Sequence, residues 1–133
     1  RLSAPPRPTQ TEAEGEENVK LTWLGHNGFR LVTGKGATVL IDPWIDHPLA
    51  NEAVRSLDRA DLILITHGHG DHMGSLEPLA RRTGATIVCI HELSVHLSGR
   101  GLGNEIVGMN KGGTVERAGV RVTMVHADHS SVI

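Results

Sequence analysis

Between Asp61 and Thr66 the chain reads DLILIT, four apolar residues in a row, and then passes directly into HGHGDHMG. An unbroken apolar run this short suits a strand covered on both faces, which requires layers of structure above and below a sheet. The flanking segments supply candidates for those layers. VKLTWL, GFRLVT and ATVLID read as half-buried strands in a meander, because Val19, Leu21 and Trp23 alternate, as do Phe29 and Leu31. The GKG at Gly34–Gly36 supplies the turn between the last two.

Downstream, SLEPLARRTG predicts a helix. Ser75 is placed to cap it, Pro78 falls in its first turn, Arg81 and Arg82 suit the C-terminal dipole, and Gly84 closes it. ATIVCI reads as a strand, HELSVHLSG as a shorter helix stopped at Gly99, and the glycine-rich GLGNEIVGMNKGG as a loop. TVERAGVRVTMVH reads as a hairpin turning at Ala118 and Gly119. Strands interleaved with short helices give an α/β or α+β layered class. The opening RLSAPPRPTQTEAEGEEN, residues 1–18, has almost nothing to bury and reads as a flexible Pro/Glu-rich arm before a domain over 19–133.

Composition narrows the function. A length of 133 residues allows one domain with a real core. The formal charge of −2, the lack of a Lys/Arg run, and an aromatic complement of two tryptophans and one phenylalanine argue against nucleic-acid binding. No apolar run reaches the roughly 18 residues of a spanning helix. The chain reads as soluble, with the cytoplasm favoured; because it begins at Arg1 rather than Met, export stays open. Cys89, the one cysteine, sits in a strand pattern and reads as buried rather than reactive.

The histidine cluster follows a buried strand and precedes a helix, where α/β proteins build sites. His67 and His69, two apart, project to one side of an extended segment. Gly68 and Gly70 free the backbone to bring Asp71 and His72 back toward them. Imidazole and carboxylate together suit zinc, iron or manganese, and two such pairs suit two divalent ions. A polar loop with hydrogen-bonded histidines is the bland alternative.

The order His-x-His-x-Asp-His in THGHGDH resembles the signature of the metallo-β-lactamase superfamily. LTWLGHNGF, VLIDP, RTGATIV, GMNKGGTVE and VRVTMV with its following HSS resemble, in order, a branch of small metal-dependent hydrolases. That branch is related to ascorbate-6-phosphate lactonases and N-acylphosphatidylethanolamine phospholipases. The resemblance runs from about Val19 to the end and implies a four-layer αββα sandwich. His67 and His69 then match ligands of a first metal, and Asp71 and His72 ligands of a second. Asp42 matches an acidic residue that orients the histidine loop, although a turn former ahead of Pro43 reads equally well. For the third ligand of the first metal, alternation puts His126 in phase with the core face, whereas His129 precedes the Ser-Ser pair as in the family; His129 is preferred. His26 matches a histidine of the branch, as a cleft or second-shell contact or as a structural residue. His47, His91 and His96 match nothing and are assigned to surface or helix packing, Trp23 and Trp44 to packing, with the rim of the cleft as an alternative for Trp44 after IDP.

The implied function is a metal-dependent hydrolase acting on an ester, lactone, amide or phosphodiester of a small molecule. Two ions, zinc favoured and Mn or Fe allowed, lie about 3.5 to 4 Å apart and present hydroxide, with Asp71 able to orient it as a catalytic residue. Neither the Ser-Ser pair nor Cys89 has the base that a nucleophile needs. Glyoxalase II thioesterases and nucleases share the signature, but GMNKGGT and the acidic balance weigh against them. Family members are longer, and their second half supplies further ligands and a second sheet. The expectation is therefore an N-terminal half completed by a complementary C-terminal chain or fragment, with a homo-oligomer left open. The competing reading is a non-catalytic metal-binding or interaction subunit of a split protein.

Overall fold

A computed structural model describes residues 18–132, so the expected arm over 1–18 lies, but for Asn18, outside the described residues. A six-stranded sheet organises them. Strands β1 (Lys20–Gly25), β2 (Gly28–Val32) and β3 (Thr38–Ile41) form the antiparallel meander, and β4 (Leu62–Leu64), β5 (Thr86–Ile90) and β6 (Ile106–Met109) continue from β3 in parallel. Strands β7 (Thr114–Arg117) and β8 (Val120–Thr123) pair as a separate hairpin. It turns at Ala118 and Gly119, both at positive φ, as a tight two-residue turn requires.

The parallel strands are apolar at consecutive positions because each face has its own cover. Leu40, Ile63 and Ile87 point into a core shared with Leu76, Leu79, Leu93 and Leu97 of the helices. Their neighbours Val39, Leu62 and Val88 point the other way, toward Val115, Val120 and Val122 of the hairpin. Helix α3 (Leu76–Thr83) ends at Gly84, whose left-handed φ of 69° lets its N–H reach Ala80 O. Helix α4 (His91–Ser98) stops at Gly99.

Several expectations need correction. The glycine-rich segment is not all loop: Ile106–Met109 form edge strand β6, a four-residue apolar stretch hidden between glycines. Two single-turn helices were not anticipated, α1 (Glu52–Arg55) and α2 (Gly70–Met73), the second inside the histidine cluster. Ser75 stands at the start of α3 but does not cap it; its hydroxyl accepts from the Ile45 and Asp46 amides and donates to Asp46. Trp23 is not a packing residue, being 66% exposed. His47 is buried rather than at the surface. Among the described residues no helix is long and apolar enough to cross a membrane.

Candidate metal centre

The site is assembled at the carboxyl ends of β3 and β4. Asp42 follows β3 at a φ of 44° and donates its own N–H to Leu64 O, which locks its side chain beside the loop that leaves β4. There the buried carboxylate serves three donors. Oδ1 accepts from Thr66 N–H at 2.8 Å, and Oδ2 accepts from Thr66 Oγ1 at 2.6 Å and from His72 Nδ1 at 2.9 Å.

This arrangement fixes protons two residues away. Because Thr66 Oγ1 spends its hydrogen on Asp42, it can only accept from His67 Nδ1, 2.9 Å away. The His67 lone pair is therefore left on Nε2, and the same reasoning leaves the His72 lone pair on its Nε2. Both face the cleft. Asn27 Nδ2 donates to His72 Nε2 at 3.1 Å.

Two groups of donor atoms result. His67, His69 and His129 form one, with His67 Nε2 only 2.9 Å from His69 Nδ1 and the His129 ring centroid 4.8 Å from that of His67. His26, Asp71 and His72 form the other, with His26 Nε2 donating to Asp71 Oδ2 at 2.8 Å. Converging lone-pair nitrogens in the first group, and imidazole with carboxylate in the second, fit borderline divalent ions such as zinc. Burial, then the neighbouring His72, His69 and His129, hold the His67 pKa below its ordinary value, which keeps its lone pair free at neutral pH. The His26 hydrogen bond lowers the pKa of Asp71 and keeps it an anion.

The first group closes across the sequence. Gly68 N–H donates to Ser131 Oγ at 3.1 Å, and a Cβ on Gly68 would collide with the Val132 carbonyl. Only glycine lets the 129–132 segment lie against the histidine loop, where it carries His129 to His67. His126 goes elsewhere. Strand β8 ends at Thr123, so the alternation that put His126 on a core face does not reach it; its ring is 64% exposed and bonded to Asp128. Asn27 and Thr66 escaped sequence reasoning. The only available signal was position: Asn27 adjoins His26 in a Gly-His-Asn-Gly turn, and Thr66 adjoins His67.

Comparison with known proteins identifies the family. Residues 37–133 match the model of the β-lactamase superfamily domain. The chain belongs to that superfamily, and its sheet, helices and hairpin are consistent with the N-terminal half of the fold. A metal-dependent hydrolase of Chloroflexus aurantiacus is 47% identical over 120 residues, covering 87% of this chain and 49% of the relative. One from Koribacter versatilis is 44% identical over 115 residues, covering 86% and 49%. Among solved structures, Igni18, a metallo hydrolase from the archaeon Ignicoccus hospitalis, superposes with a TM-score of 0.75 at 36% identity, covering 85% of this chain and 50% of its own. The chain thus spans about half the length of the relatives it matches.

Proposed function

We propose that this chain is the metal-holding portion of a hydrolase acting on an ester, lactone, amide or phosphodiester. The observation that carries the reading is the pair of donor groups tied to one buried carboxylate, Asp42. His67, His69 and His129 would hold a first divalent ion, and Asp71 and His72 a second, with zinc the best fit and Mn or Fe alternatives. Bound there, such ions supply Lewis acidity that polarises the electrophile and makes water a competent nucleophile at neutral pH.

The protein's own groups do the rest. Asp42 and Thr66 hold His67 and His72 in the tautomers that leave Nε2 free. Asp71, held as an anion by His26, would orient the attacking water by accepting a hydrogen bond from it. Cys89 is fully buried and its pKa is pushed up to about 12, and Ser131 Oγ is engaged by Gly68, so neither serves as a nucleophile. The metal-dependent hydrolases that resemble this chain are about twice its span, and a complementary segment of that kind would complete the second group and the second sheet.

Native mass spectrometry with elemental analysis tests the reading. Two ions per protein, together with the complementary segment, are expected. Replacing His67 and His69 together by alanine should abolish uptake at the first group; retention of both ions would refute the ligand assignment. One ion or none on a lone chain would favour a non-catalytic module.

A further inference from the structure

His26, which bonds Asp71, also lines a cavity of about 660 Å³ that Asp71 does not line, a volume typical of small-molecule sites. Trp23, Trp44, Leu24, Pro48, Leu49 and Val54 form its walls, and among the described residues no Asp, Glu, Lys or Arg lines it. Polar groups in the wall are spent inside the protein. Trp23 Nε1 donates to His26 O, Leu49 N–H to His47 Nδ1, His47 Nε2 to Leu24 O, and Val54 N–H to Asn51 Oδ1. A charged group entering here would shed water and find nothing in return, whereas an apolar one gains in proportion to the area it buries.

The walls are also braced. The His47 ring occupies the space where Gly25 lacks a Cβ, and Trp44 Cδ1 would stand only 3.0 Å from a Cβ on Gly74, at the end of α2. At the mouth, Leu49 is 91% exposed and Trp23 is largely in water, an apolar rim with no cover among the described residues. His26 joins this cavity to the metal centre: its ring meets Trp44 edge-on at a centroid distance of 5.4 Å, while its Nε2 bonds Asp71. A reacting bond held at Asp71 is one imidazole width from the cavity.

We propose that this cavity is a substrate subsite for a neutral alkyl or aryl group. The inference rests on the hydrolase reading only in placing the reacting bond beside Asp71. The substrate is then amphipathic, with an apolar substituent over His26 and its cleavable bond at Asp71 and His72.

Intrinsic fluorescence of Trp23 and Trp44 reads the cavity directly, once any tryptophan elsewhere in the full-length protein is replaced by phenylalanine. Titration with straight-chain alcohols from butanol to octanol should give a saturable change whose Kd tightens about fourfold per methylene. Trp23→Ser and Leu49→Asp, both at the exposed mouth, should each weaken octanol binding at least tenfold and leave the unfolding midpoint and metal uptake unchanged. Absence of a saturable response, equal tightening in the variants, or indoles shielded from acrylamide in the free protein would overturn the proposal. Metal content is measured on the same samples with and without chelator, so a failed metal reading appears as absent uptake while the alcohol isotherm remains readable.

Discussion

At Asp42, two oxygens serve three donors on two different residues, and through them set which nitrogen of His67 and of His72 carries a proton. Asparagine in its place offers one accepting oxygen and an NH2, so it cannot accept from all three donors and sets its own N–H against one of them. We expect Asp42→Asn to weaken metal affinity about 10- to 100-fold, as losses of ligand-orienting carboxylates do, measured by competition with a chromophoric chelator. Asp71→Asn should differ: if the proposed two groups each hold an ion, uptake falls at His26, Asp71 and His72 while affinity at His67, His69 and His129 stays unchanged. The candidate donor residues stood out because four of them crowd one short stretch with alternating glycines. Their supports were not. Thr66 and Asn27 matter only once β3 lies beside β4 and the β1–β2 turn reaches the cluster, and no spacing encodes those contacts. His47 was misread for the same reason: its partner, the Leu24 carbonyl, lies 23 residues away.

Strands β4 and β5 were legible from their continuous apolar runs, since burial on both faces leaves no room for polar alternation. Strand β6 was not, because four residues of moderate apolarity between glycines carry no period. Helix α2 was hidden too, since a single turn begun by Gly70 has no propensity signal. Strand β5 carries Cys89, whose thiol burial pushes from 9.0 up to about 12. The folded pKa lies above the unfolded one, so the native state holds its proton where the unfolded chain releases it. Its contribution to stability is intact below about pH 9 and is lost as the pH rises from there through about 12, by at most about 1.4 kcal/mol per pH unit. Denaturant midpoints followed from pH 8 to 11 should fall less steeply for Cys89→Ala than for the native sequence, and the native thiol should resist a disulfide reagent at pH 8 until the chain is unfolded.

For the molecule as a whole, the layered class follows from the pattern of runs, but the distribution of cover does not. The helix side of the sheet is closed over Leu40, Ile63 and Ile87, whereas Leu21 and Trp23 of β1, with Val19 just before it, are more than half exposed in one alternating row. An apolar row on an edge strand invites association. The chain of residues 1–133 alone should therefore bind a hydrophobic dye and self-associate at micromolar concentration, and Val19→Lys with Leu21→Lys should suppress both; unchanged dye binding in the double variant would place the sticky surface elsewhere.

The seat of the Val132 carbonyl over Gly68 carries a further consequence. His129 stands 60 residues beyond His69, so the first donor trio exists only after that long segment has been threaded through a helix pair, β6 and the hairpin and brought home. Closing so large a loop has an entropic cost. An ion gripping all three rings would act as a clasp on the finished topology, and its residence time would report how firmly the tail is latched rather than the strength of the imidazoles alone.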